Sequence, residues 1–425
     1  MADTYSGSLL DNVHTKESVS ILSTEAQSPN FRGFMNLGGI ILIVANFRLI
    51  IENILKYGFL LNSPGEEYLS VPCIGTYVSN GIPVLLAYFI EKRIADNLKP
   101  GLVSWIHAFI VVYILTLPLV VIWYYKAHFI PASILLMNTC CIAMKIYSFT
   151  TVMGEARDAY KSKKYQKFPK EVKEIISKYP NLITFKDFIS FLFFPTLCFQ
   201  LKYPRTERLR KTWLLKRAVE YIVSLTLMLI LIQQYITPLL KNTFKVLDQE
   251  EINYVSLLER HLKLCLPNLY LWLFLFYSGF QCSLNILAEI TCFADREFYL
   301  EWWNSRTLGE YWRKWNLPVH NWLVRHVYKP MVSKGYSKNF SMFFTFFLSA
   351  VAHEYFISGA CRILTYWAFI AMMSQIPMII AMDIFRKQLE KSQIGNVVFW
   401  VSFCIIGQPI AVLIYSYQAY TTMEV

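Results

Sequence analysis

The sequence predicts an all-α polytopic membrane protein, and three observations carry that prediction. Apolar residues make up 55% of its 425 residues and charged ones only 16%, against about 25% charged in ordinary globular domains. Mean hydropathy is +0.37. Nine apolar runs recur along the chain, each close to the roughly 20 residues that cross a bilayer core as a helix. This composition excludes disorder, collagen and coiled coil.

The runs lie near residues 34–55, 71–90, 102–124, 130–147, 218–240, 264–293, 340–356, 363–382 and 397–417. Residues 1–33 form a polar tail ahead of a membrane domain over 34–425. The tail lacks the cationic start and apolar core of a cleavable signal, so insertion is expected to begin at an internal span. Two hydrophilic stretches, about 149–212 and 295–338, separate the spans. With the N-terminus cytosolic, one face receives Lys92, Arg93, Lys99, the basic run from Arg157 to Lys211, the run from Arg296 to Lys338, and Arg386, Lys387 and Lys391. Positive loops stay cytosolic, so both long loops are expected there and the C-terminus on the lumenal side.

The formal charge of +12 therefore reads as basic loops beside a bilayer rather than a nucleic-acid surface. Nine cysteines show no paired spacing and sit mostly in apolar runs, which points to small core residues and neither a zinc site nor a disulfide framework. Residues 181–201, with Phe185, Phe188, Phe191, Phe193 and Phe194 around Lys186 and Asp187, read either as a helix in the membrane interface or as a partly buried loop helix. No internal repeat or matched pair of broken helices supports a secondary transporter.

Ionisable groups inside spans cost about 2.5 to 3.5 kcal/mol on insertion scales, which makes each a functional candidate. His353 and Glu354 stand late in the seventh run. An imidazole accepts a proton near neutral pH; the alternative is a packed histidine with one hydrogen bond satisfied. Adjacent residues point to different helix faces, so Glu354 is free to orient a neighbouring helix instead. A second concentration covers Asp295–Asn304 and Glu310–Lys329, where five of eleven Trp fall between 302 and 322. An interfacial aromatic belt is the alternative there. Asn316 and Gln408 add amides, the latter before Pro409, where it would otherwise satisfy backbone groups at a distorted helix. Soluble catalytic signatures such as GxSxG, HExxH, Walker and GxGxxG are absent from the sequence. A histidine without an activated Ser or Cys beside it suggests attack by the substrate's own hydroxyl, with no covalent enzyme intermediate.

FYLEWWN at 298–304, YWRKWNLPVHNW at 311–322, SAVAHEY at 349–355 and IIGQPIAVLIY at 405–415 together resemble the membrane-bound O-acyltransferase superfamily. Within it they resemble the branch of diacylglycerol and sterol acyltransferases. ANFRLIIENILKYG at 45–58, PTLCFQLKYPRTERLRKTWLLKR at 195–217, LNILAEITCFADREFY at 284–299 and WAFIAMMSQIP at 367–377 look like the diacylglycerol enzymes specifically.

The resemblance implies nine membrane helices around an intramembrane reaction chamber, an endoplasmic reticulum location and a homodimer or homotetramer, with Ser28–Asn36 reaching a neighbouring subunit. It assigns His353 as general base, with Asn316, Gln408 and Glu354 as further catalytic residues. Phe298, Tyr299, Glu301, Trp302, Trp303 and Asn304 form its FYxDWWN motif, in which Glu301 replaces the usual Asp. Trp315, Arg313, His320, Arg325, Tyr328, Lys338 and Ser349 are the residues expected to bind acyl-CoA. Acyl-CoA is then a co-substrate, no cofactor or metal is expected, and diacylglycerol arrives from membrane lipid. A sterol or long-chain alcohol is the rival acceptor, and a transporter the rival outside enzymes.

Overall fold

A computed structural model describes residues 32–62, 65, 69–94, 97–251, 253–385 and 394–423. Most of the 1–33 tail, and the basic residues Arg386, Lys387 and Lys391, lie outside the described residues. The chain divides into two units, residues 1–60 and 61–425. In the first, helix α1 (Arg32–Tyr57) contains the first expected span. It exposes Ile40, Ile41, Val44 and Phe47, as a helix facing lipid would.

Eight helices of the second unit are long and apolar enough to cross a membrane: α2 (Val71–Arg93), α3 (Pro100–Tyr124), α4 (Phe129–Lys161), α6 (Lys211–Leu247), α7 (Tyr254–Ile290), α10 (Lys338–Cys361), α11 (Trp367–Ile384) and α12 (Ile394–Thr422). They match the second to ninth expected spans in order. Among the shorter helices in the two hydrophilic stretches are α5 (Phe185–Phe193), α8 (Leu308–Trp315) and α9 (Leu317–Leu323). Among the described residues the one β feature is an isolated bridge between Arg205 and Phe293.

Helix ends differ from the expected ones for a consistent reason: hydropathy marks the part of a helix that lipid surrounds, and hydrogen bonding carries the helix further. Helix α4, expected to stop near residue 147, runs for 33 residues to Lys161, about 50 Å at 1.5 Å per residue. In contrast, α11 starts four residues later than expected. Arg362 closes α10 in the left-handed region (φ 57°) with its amide on Ser358 O, and residues 363–366 stay irregular.

Five helical stretches open into a π turn among the described residues, at Ile90–Ile94, Leu231–Ile236, Tyr277–Ser283, Val324–Tyr328 and Ser402–Gly407. Three of them, at 231–236, 324–328 and 402–407, are followed two residues later by a proline: Pro238, Pro330 and Pro409. A proline lacks the amide proton and its ring displaces the carbonyl four residues back, so the preceding turn widens.

The largest core cluster joins α2, α4 and α5. Tyr88 stacks on Phe188 at 4.9 Å, and Phe149 meets Phe188 at 4.8 Å and Phe199 at 5.1 Å. Helix α5 starts at a reciprocal Thr184–Asp187 capping box. At its other end Lys145 Nζ donates to the carbonyls of Phe191 (3.1 Å), Leu192 (2.7 Å) and Phe194 (2.6 Å). Three ammonium protons thus meet three carbonyls at the end of the helix, which is what a buried lysine needs. Phe188, Phe191 and Phe194 are buried while Phe185 and Phe193 face outward, so the helix packs one face on the core and presents two Phe on the other.

Candidate active site

Helix α10 carries His353. Its Nδ1 lies 2.7 Å from the carbonyl of Ser349, one turn earlier. A carbonyl only accepts, so Nδ1 bears the proton and a neutral ring keeps its lone pair on Nε2. The edge of Trp312 from α8 faces the imidazole at 6.5 Å, and Trp312 Nε1 donates to Gln375 of α11. His353 is exposed in the structure.

Glu354, one residue on, is turned to other partners. Its carboxylate accepts from Ser358 Oγ, Thr365 Oγ1 (3.1 Å), the Phe369 amide (2.8 Å) and Tyr415 OH (3.2 Å). Tyr415 in turn accepts from Ala368 N at 2.7 Å. Four donors make this carboxylate tolerable inside the bundle. They also fasten α10, α11 and α12 together behind His353, and no hydrogen bond joins Glu354 to the imidazole.

Asn316 stands at the corner between α8 and α9. Its Oδ1 accepts from Val319 N at 3.2 Å, capping α9, with Pro318 in the first turn as a starting helix permits. Its Nδ2 makes no hydrogen bond among the described residues, which leaves a donor. Trp312, one turn before it, is the residue that meets His353. Gln408 follows the π turn of α12, and its amide also makes no hydrogen bond among the described residues. It is therefore not engaged in mending the Pro409 distortion.

The FYLEWWN segment packs against this corner. Leu317 N donates to Phe298 O (3.0 Å) and Leu300 N to Lys314 O (2.9 Å). Phe298 is buried, and Tyr299 OH donates to Gln281 Oε1 at 2.8 Å. Glu301 accepts from Asn304 Nδ2 at 3.3 Å, a local contact that its longer side chain still reaches. Trp302 is buried against Trp272, Phe276 and Trp315, each 5.0 to 5.4 Å away. The carbonyl of Trp303 accepts from Asn396 Nδ2 (3.0 Å) and Trp400 Nε1 (3.3 Å) of α12. Of the five clustered Trp, Trp302 and Trp322 are buried, Trp312 and Trp315 half-buried, and Trp303 exposed. An interfacial belt would need them outward, so these rings mainly build a core.

The residues expected to bind acyl-CoA are spread along the same region. Trp315 stacks on Trp272 at 4.6 Å. Arg313 is exposed, and His320, half-buried, has its pKa lowered by burial and then by Arg313. Arg325 and Tyr328 share the π turn after α9, where Arg325 Nη1 donates to Phe199 O at 2.9 Å. Lys338 is exposed at the start of α10. Ser349 engages His353 through its carbonyl.

Sequence reasoning missed three polar groupings. Glu91 accepts from Arg157 Nη1 and meets His107 Nε2, both at 2.8 Å and all three buried, joining α2, α3 and α4. Phe199 N donates to Ser148 Oγ, which lies 2.8 Å from His326 Nε2. The hydroxyl has two lone pairs, so after accepting from Phe199 N it is still able either to donate to Nε2 or to accept from it. A neutral His326 fits its pKa, pushed down to about 4 by burial and then by Arg325. The third is Gln375 under Trp312. Glu91, His107 and Gln375 were detectable as polar residues within or at the edge of apolar runs.

Residues 102–417 match the family described as membrane-bound O-acyltransferase. The chain is 36% identical over 409 residues to diacylglycerol O-acyltransferase 1 of Corylus americana, covering 95% of this chain and 75% of that protein. It is 36% identical to diacylglycerol O-acyltransferase 1-1 of Oryza sativa subsp. japonica, with coverage of 97% and 77%. For diacylglycerol O-acyltransferase 1 of Dictyostelium discoideum the identity is 38%, with coverage of 93% and 63%.

Proposed function

The chain belongs to the membrane-bound O-acyltransferase family, and from that premise we propose that it transfers a long-chain acyl group from acyl-CoA to the free hydroxyl of 1,2-diacylglycerol. The observation that carries the mechanism is the hydrogen bond from His353 Nδ1 to Ser349 O, which leaves Nε2 as a base on an accessible ring. Nε2 takes the hydroxyl proton as that oxygen attacks the thioester carbonyl carbon. The uncommitted amide protons of Asn316 or Gln408 stabilise the oxyanion that develops. The tetrahedral intermediate collapses, the carbon–sulfur bond breaks, and the imidazolium returns its proton to the departing CoA sulfur. Triacylglycerol stays in the bilayer and CoA leaves to water.

Arg325, Tyr328 and Lys338 line the mouth that receives CoA phosphates, as guanidinium and ammonium groups do. The basic loops support a cytosolic N-terminus, a lumenal C-terminus and a cytosolic CoA mouth, and the resemblance to diacylglycerol acyltransferases supports an endoplasmic reticulum location. We take the working assembly to be a homodimer or homotetramer. The diacylglycerol assignment is supported by the names of the relatives and their coverage of the chain.

Purified protein given labelled oleoyl-CoA with diacylglycerol, cholesterol or hexadecanol in parallel tests the reading. Labelled triacylglycerol is expected to dominate. Steryl or wax ester in excess would overturn the acceptor, and no ester from any of the three would overturn acyl transfer.

A further inference from the structure

Away from His353, the chain between α5 and α6 and the turn after α7 form a basic recess of about 520 Å³ that is wide open at the surface. It is lined by Arg205, Thr206, Glu207, Arg208, Arg210 and Arg296. Its walls are pinned. Thr206 N donates to Cys292 O (2.9 Å) and Ala294 N to Pro204 O (3.1 Å). Glu289, fully buried near the end of α7, accepts from Arg210 N, Nε and Nη2 at 2.6, 3.1 and 2.8 Å and pairs with Arg296 Nη2 at 2.7 Å. Trp213, in the first turn of α6, has the guanidiniums of Arg210 and Arg296 over its ring at 4.9 and 5.1 Å. Arg205 lies over Phe194 at 4.9 Å.

Glu289 accounts for Arg210 and Arg296 but not for the other two arginines. The Arg208 guanidinium has no hydrogen bond or ion pair among the described residues. Thr206 Oγ1 and Arg296 Nη1 are buried and lack hydrogen-bond partners. Four guanidiniums against Glu207 and Glu289 leave two net positive charges around this open recess. Guanidinium forks match phosphate oxygens in pairs, and a phosphate monoester carries about −1.5 to −2 at neutral pH.

We propose that this pocket is a binding site for a phosphate monoester. Two molecules can bring one there. The pocket lies between the first turn of α6 and the end of α7, where two spans meet the bilayer edge, so a lipid headgroup reaches it from the adjacent leaflet. The 3′-phosphate of CoA is the other, because Phe194 beneath Arg205 and Phe199 held by Arg325 belong to one segment. The lipid route stands whether or not acyl-CoA is the donor.

The test uses the full chain in phosphatidylcholine nanodiscs, titrated with short-chain phosphatidylinositol 4-phosphate, with phosphatidylglycerol as a diester control. CoA and 3′-dephospho-CoA are titrated in parallel. Saturable binding of at least one monoester in preference to its control is expected, weakened at least tenfold by Arg208→Gln with the melting temperature unchanged. Preference for the phosphoinositide identifies the lipid as source, and preference for CoA over its dephospho form identifies CoA. Thr206→Val, which removes a hydroxyl and keeps every charge, is expected to weaken the same probe. The proposal is overturned if neither monoester is preferred to its control, or if Arg208→Gln leaves the affinity for every probe unchanged.

Discussion

Asn316 performs two separable tasks, and substitutions can divide them. Its Oδ1 caps α9 through Val319 N, while its Nδ2 is the donor assigned to the oxyanion. Asp and Ser cap helices about as well as Asn, whereas Ala costs typically ~1 kcal/mol. Losing one oxyanion donor lowers turnover by about 100 to 1000-fold, or about 2.7 to 4 kcal/mol of barrier. Asn316→Ser and Asn316→Asp are thus expected to melt close to the parent while kcat falls by about two to three orders of magnitude. The fall should be larger for Asp, whose charge opposes the oxyanion. Asn316→Ala should lose the same turnover as Ser and also melt lower. The assay is steady-state esterification in detergent with labelled oleoyl-CoA, resolved into kcat and KM, beside a thermal melt. An interaction made only in the transition state lowers kcat without raising KM. Turnover within threefold of the parent for Asn316→Ser, with loss confined to Asn316→Ala, would refute the donor role and leave Asn316 a helix cap.

Glu354→Ala strands the Ser358, Thr365, Phe369 and Tyr415 donors, each costing about 1 to 3 kcal/mol if left unpaired; we expect a large drop in melting temperature and a milder one for Tyr415→Phe, and equal melting of all three proteins would contradict the fastening role. The folded pKa of His326, near 4, lies below the ordinary value of about 6.5, so its neutral form is the one the fold favours. That contribution is complete above pH ~6.5 and is lost as pH falls toward 4. His326→Gln should flatten this limb of a melting-temperature profile, and an unaltered profile would show that the limb belongs to other groups. Cysteines introduced at Lys164 and Lys334, in a background without reactive native cysteines, should react with impermeant reagents from outside sealed microsomes; labelling only after permeabilisation would invert the topology.

Hydropathy located the spans because a 30 Å hydrocarbon layer demands long apolar runs. It could not place their ends: the last turns of α4 bear Glu155, Arg157 and Asp158, which no apolar window includes. His353, Asn316 and Gln408 were legible as polar groups in or beside spans and as motif residues. The roles of their neighbours were not. Glu354 draws its donors from residues 358 to 415, and the buried Glu91–Arg157 pair spans 66 positions, separations that no local pattern encodes. The clustered Trp left two readings open for a related reason, since the same composition serves an interfacial belt or an aromatic core. Only the partners Trp272, Phe276 and Phe399, supplied by α7 and α12, decide between them.

The central claim is that His353 Nε2 removes the acceptor proton. The most direct measurement is the turnover of purified His353→Ala with oleoyl-CoA and diacylglycerol. The substitution introduces no charge into lipid, so insertion and yield should be near normal while turnover falls by about 100 to 10,000-fold, the usual worth of a positioned base. A well-folded His353→Ala protein that still makes triacylglycerol near the parent rate would contradict the account.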